Sequence, residues 1–254
     1  MAVIETYVSK NSASRLIPLI LFVSFSLHQT ACYKPPSSAP YLNKNTLYPV
    51  VSGTGYNSDG SETETPLDMQ KPQKYRSIVR KYSDRYDLDW VLMLSVMKQE
   101  SQFKPNARSS VGAFGLMQIM PITESGLTEK LGVKDARSPS NNIKIGTFHF
   151  RSLYRIFRNA PEEDRIRLSL AAYNAGLGRI LDARQIAAYL GSDPNSWEGV
   201  KKALPLLSRS YYTLHQNIWD EAKPPSGYFR NWRQTTRYVE KVLEHYEELS
   251  LAFN

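Results

Sequence analysis

Val91-Leu-Met-Leu-Ser-Val-Met-Lys-Gln-Glu100 is apolar around most of a helical circumference and then runs directly into a carboxylate. A helix that is apolar on nearly all sides belongs inside a core of other elements, so this stretch predicts an all-α (mainly α) domain packed around it. The residue at its end is the odd one. Burial disfavours the charged form of a carboxyl and raises its pKa, and a Glu still protonated near neutrality is what a general acid requires. The plain structural alternative is a Glu that turns to solvent where its helix stops.

Outward from this helix, apolar periodicity predicts further helices over residues 73–86, 122–131, 142–157, 164–173, 178–190, 197–204 and 234–249, with strand alternation nearly absent. Two long pieces are left non-helical, residues 102–121 and 208–233. Loops of that length in a compact domain are more often functional than idle. The first follows Glu100 directly and contains Gly112 and Gly115, which permit unusual backbone angles and close approach of chain to ligand. Met117, Gln118 and Met120 would give it a soft apolar wall with one amide. Structural roles compete for each of these residues, as turn former or core filler.

Upstream the character of the chain changes. Lys10 and Arg15 precede an apolar run over residues 16–27, followed by Thr30-Ala31 and then Cys32. This is the layout of a secretory signal, and the run falls short of the roughly 20 apolar residues of a comfortable membrane span. An uncleaved anchor is the alternative. Cys32 is the single cysteine, so it forms no intrachain disulfide. Its position resembles that of the lipidated cysteine of bacterial lipoproteins, although Gln29 stands where such signals usually carry Leu. Residues 33–72 are crowded with Pro, Ser, Gly, Asn and Thr and read as a disordered tether. The expected organisation is therefore a signal peptide over 1–31, a tether over 32–72 and a catalytic domain over 73–254.

The 254 residues are 41% apolar and 22% charged, with a formal net charge of +8. A basic balance attracts anionic polymers such as nucleic acid, anionic lipid or cell-wall glycan. Four His and one Cys form no zinc-ligand spacing, and there is no phosphate-binding Gly-Lys-Ser/Thr and no aromatic-basic stacking motif. Neither a metal nor a nucleic-acid partner is expected.

Three ordered segments carry a specific resemblance. Glu100-Ser-Gln-Phe-Lys-Pro-Asn-Ala-Arg-Ser-Ser-Val-Gly-Ala-Phe-Gly-Leu-Met-Gln-Ile-Met-Pro121 resembles the active-site signature of the soluble lytic transglycosylase superfamily. Ala171-Ala-Tyr-Asn-Ala-Gly176 resembles its second signature and Thr236-Arg-Tyr-Val239 its third. Leu181-Asp-Ala-Arg184, Trp197 and Lys202-Ala-Leu-Pro-Leu-Leu-Ser208 place the likeness nearest the catalytic domain of membrane-bound lytic murein transglycosylases of the F type. Those carry a solute-binding-like regulatory domain ahead of the catalytic one. The tether has no room for it, so regulation by that route is not expected. Residues 219–233 also look altered, which bears on substrate preference.

The resemblance implies a lysozyme-like fold of the goose-type kind, with peptidoglycan strands in a cleft beside Glu100. By motif position Ser109, Gln118, Met120, Tyr173 and Asn174 would line the site, and Tyr238 would approach it. Ser101, Gly112, Gly115 and Met117 would support it, with Ser101 holding the helix end or Glu100. Most glycosidases use two carboxylates, whereas these motifs offer one, with Asp182 as a distant candidate. In the chemistry of the superfamily, one Glu protonates the oxygen between MurNAc and GlcNAc while the MurNAc N-acetyl oxygen shields the cation developing at C1. The same Glu then takes the C6 hydroxyl proton, which leaves a 1,6-anhydro end without water, metal or cofactor. The implied protein is a monomeric periplasmic enzyme held to the outer membrane by lipid on Cys32. Its rivals are a goose-type-lysozyme-like hydrolase and an inactive glycan-binding scaffold of the envelope.

Overall fold

A computed structural model describes residues 69–253; Cys32, the apolar run before it and most of the expected tether lie outside the described residues. Among the described residues the elements are helices α1 (Gln70–Tyr86), α2 (Trp90–Ser101), α3 (Pro121–Leu131), α4 (Pro139–Ile156), α5 (Glu162–Ala175), α6 (Leu177–Tyr189), α7 (Trp197–Ala203), α8 (Tyr212–Ile218) and α9 (Trp232–Phe253). Short 3-10 turns occupy Leu204–Leu207 and Arg209–Tyr211. Among the described residues extended pairing is limited to two isolated bridges, Arg108 with Phe114 and Phe114 with Ile119. The expected all-α class is what is found.

α2 is the central element. Asp89 starts it by accepting from the backbone N–H groups of Val91 (2.7 Å) and Leu92 (3.2 Å), which satisfies two of the donors a helix start leaves open. Tyr246 of α9 donates to the other oxygen of Asp89 at 2.7 Å, so the cap also ties the first turn of α2 to α9. Val91 through Met97 are all buried. α9 packs along α2 and α5, α1 packs on α2 and α4, and α5 joins α4 to α6. Burying Met93, Leu94, Val96 and Met97 completely contributes about 1.5–3 kcal/mol each, and this sum holds α2 where its polar end has to lie.

Several boundaries differ from the sequence expectation. α1 begins at Gln70, inside the residues assigned to the tether. Pro72 sits in its first turn, where a missing N–H costs nothing. α4 begins at Pro139, capped by the Ser138 hydroxyl accepting from Asn141, three residues before the expected start. The segment read as a long loop before α9 contains α8. That helix is seven residues long, with His215 its one fully buried side chain and Leu214 and Ile218 partly buried against the core, a run too short for periodicity to detect. His215 packs between Trp219 and Tyr228, and its Nε2 lies 2.7 Å from the Leu206 carbonyl.

Candidate active site

Glu100 is the next-to-last residue of α2, partly buried, at the point where the helix ends. Gln102 (φ 50°) and Phe103 (φ 61°) are both left-handed, an uncommon conformation for non-glycine residues, and they turn the chain sharply back over the helix end. Phe103 is held there by burial and by stacking on Tyr75. Residues 104–120 then fold across the end of α2. The Ser101 hydroxyl donates to the Leu116 carbonyl (2.9 Å) and to the Met97 carbonyl (3.2 Å), fastening this loop beside Glu100.

The acid sits among phenols. Tyr238 of α9, 5% exposed, donates its hydroxyl to Glu100 Oε1 at 2.7 Å. Removal from water pushes the Glu100 carboxyl up to about 7, and the Tyr238 hydrogen bond, which favours the ionised form, offsets this in part. The charge of Glu100 in turn raises the phenols of Tyr173 and Tyr238, for which burial is the larger cause. Behind Tyr173 lies His149, ring centroids 5.3 Å apart, lowered to about 4 by burial. Such a site can hold a proton near neutral pH and release it to an oxygen brought against it.

The remaining expected residues divide by what they touch. The Tyr173 hydroxyl donates to the Met117 carbonyl at 2.8 Å. Asn174 Oδ1 accepts from Thr235 Oγ1 at 2.9 Å, linking α5 to the start of α9. Gln118, at φ 46°, donates through Nε2 to the carbonyls of Gly115 (2.9 Å) and Ala107 (3.2 Å). Ser109 accepts from the Ala113 N–H at 2.9 Å, a turn role, and Gly112 completes that turn at φ 91°. Met120 is 37% exposed at the start of α3. Met117 departs from its expected place as cleft wall. It is completely buried and its side chain packs directly over Gly146 of α4, because an apolar side chain in a loop gains more by turning into the core than by facing water.

Asn142 was not foreseen. It is 2% exposed, accepts from the Met117 N–H at 2.8 Å and donates to the Phe114 carbonyl at 3.1 Å. An Asn in the first turns of an amphipathic helix gives no such signal. Asp182 accepts from the Ser226 N–H at 2.9 Å and so anchors the segment before α9. Among the described residues no cluster of three or more His, Cys, Asp or Glu is placed to hold a metal ion.

Residues 77–193 match the family described as Transglycosylase SLT domain. The chain carries a transglycosylase SLT domain. It is 37% identical over 179 residues to a membrane-bound lytic murein transglycosylase F of Desulfosudis oleivorans, covering 69% of this chain and 36% of that protein. A protein of the same name from Actinobacillus pleuropneumoniae serotype 7 is 36% identical over 179 residues, 69% of this chain and 34% of its own length. The chain thus spans about a third of the curated relatives it matches. Among solved structures, the 70 kDa soluble lytic transglycosylase of Escherichia coli is similar at 26% identity with a TM-score of 0.47, over 71% of this chain and 24% of that one. The matched part of the SLT domain contains Glu100, the loop after it, Asn142 and Tyr173, while Tyr238 lies beyond it.

Proposed function

We propose that this SLT domain is a lytic transglycosylase that cleaves the MurNAc-β-1,4-GlcNAc bond of peptidoglycan and leaves 1,6-anhydro-MurNAc ends. The observation that carries the reading is Glu100, a carboxyl raised to about 7 and surrounded by phenols. Tyr238 occupies Oε1, so the mobile proton resides on Oε2. Glu100 gives that proton to the bridging oxygen as the bond to C1 breaks. The carboxylate so formed is stabilised by the Tyr238 hydroxyl and then removes the proton of the C6 hydroxyl as O6 closes onto C1. One group serves as acid and then as base, and no water is consumed.

The committed hydrogen bonds define what is left for the glycan. Asn174 spends Oδ1 on Thr235 and offers Nδ2; Gln118 spends Nε2 on its own loop and offers Oε1. Met120 supplies apolar surface at the rim and Tyr173 the face of its ring, while Ser109, Ser101, Gly112, Gly115 and Met117 hold the loop in shape. An envelope location is supported by the relatives' designation as membrane-bound, and among the described residues no helix is long and apolar enough to cross a membrane. Lipid on Cys32 would supply the attachment, and Cys32→Ala should then release the protein from membranes with its activity intact.

The test is digestion of purified peptidoglycan followed by mass spectrometry of the released muropeptides. Products one water lighter than hydrolytic ones are expected. Full-mass reducing ends would make the protein a hydrolase, and an undigested sacculus would make it a binding scaffold.

A further inference from the structure

We infer that Asn142 is a positioning residue for this reaction, its side-chain amide setting the backbone of residues 114–117 on which the acid/base site is assembled. The inference rests on the transglycosylase reading above. Its basis is a set of bonds that meet on four consecutive residues. Asn142 Oδ1 receives the Met117 N–H and Asn142 Nδ2 holds the Phe114 carbonyl, so one buried amide pairs with both ends of the segment. Within the same segment, the Leu116 carbonyl is held by Ser101, the neighbour of Glu100, and the Met117 carbonyl by Tyr173. Side chains from α2, α4 and α5 therefore converge on a single turn, and Gln118 and Met120 leave it directly.

The turn is one that the chain would not adopt unaided. Gly115 has φ 83°, and a Cβ there would lie 2.6 Å from Asn142 Cγ and Nδ2, so the amide is packed flat against glycine backbone. Gln118 follows at φ 46°. A left-handed residue other than glycine, as Gln118 is, persists only where its surroundings over-determine it, and beside the backbone bridge from Ile119 to Phe114 Asn142 is the side chain that bonds both a donor and an acceptor of the turn. An isosteric carboxylate could still accept from Met117 but would set a second oxygen against the Phe114 carbonyl. A loop displaced by about 1 Å is enough to cost on the order of 100-fold in a well-aligned reaction.

The test compares full-length wild type with Asn142→Asp by muropeptide release, with kcat and KM measured well below the melting temperature of each and across pH. We expect kcat to fall about 10-fold to 100-fold at pH 8. The deficit should narrow toward pH 5, where the introduced carboxyl regains an O–H for the Phe114 carbonyl. A merely structural role would lower the melting temperature and leave kcat and its pH profile unchanged, and that result overturns the inference. If the variant does not fold, amide hydrogen exchange of the wild type decides: a slowly exchanging Met117 N–H is expected, and one exchanging at loop rates is a refutation. Wild type that releases no anhydro-muropeptides overturns the parent reading and this one together. Wild-type products alongside an unimpaired variant overturn this one alone.

Discussion

At the scale of the residue, the chemistry depends on two opposing influences on Glu100. Dehydration raises it and the Tyr238 hydroxyl lowers it, and the balance stands at about 7. A general acid works in its protonated form, so kcat/KM should decline as pH rises through about 7. Replacing Tyr238 with Phe removes the lowering influence. The alkaline limb should therefore move to higher pH, while the rate at pH 5 drops because the newly formed carboxylate has lost its donor. A limb that moved to lower pH in the pH–rate profile would show that Tyr238 does not favour the ionised form. Glu100→Gln keeps the shape and abolishes proton transfer, for an expected loss of about 10²-fold to 10⁴-fold in anhydro-muropeptide release. Wild-type turnover in pure Glu100→Gln protein would remove Glu100 from the mechanism.

At the scale of the element, what was legible followed from periodicity and what was not followed from three-dimensional packing. α2 announced itself through seven successive residues that the fold buries, and its abrupt arrival at Glu100 marked the site. α8 escaped because seven residues, with Leu214 and Ile218 as the apolar pair on its core side, are too few for an apolar period to stand out. Met117 was misplaced for a related reason: a methionine in a glycine-rich loop has the same sequence appearance whether it faces a ligand or the core. Its depth depends on Gly146, in the middle of another helix, where a Cβ would come within 2.5 Å of Met117 Cβ. Glycine inside a helix costs about 1 kcal/mol relative to alanine, so propensity alone favours Gly146→Ala. Overpacking a rigid core costs about 1–3 kcal/mol and should win. The expected outcome is a lower urea midpoint, and a higher one would mean that α4 and the loop separate easily.

At the scale of the whole molecule, burying the acid has a stability consequence that pH exposes. The Glu100 carboxyl moves from an ordinary 4.5 to about 7 on folding, so between those values the folded state binds the extra proton and stability falls as pH rises. His149 moves the other way, from 6.5 to about 4. There the unfolded chain binds the extra proton, and stability rises with pH from about 4 to 6.5. The two slopes oppose each other over most of that interval, so the wild-type profile hides both. Glu100→Gln removes one and leaves every other titrating group common to the two proteins. The difference in unfolding free energy between variant and wild type should therefore be near zero below pH 4.5 and grow through pH 7. The full shift corresponds to about 3 kcal/mol, and partial exposure of Glu100 reduces the expected plateau to roughly 1–2 kcal/mol in favour of the variant. Urea titrations of both proteins at pH 4.5, 6 and 8 measure that difference directly. A gap of the same size at all three would mean that Glu100 is as well hydrated in the folded protein as in the unfolded chain, leaving it no more acidic or basic than any surface carboxylate and unable to act as acid near neutrality.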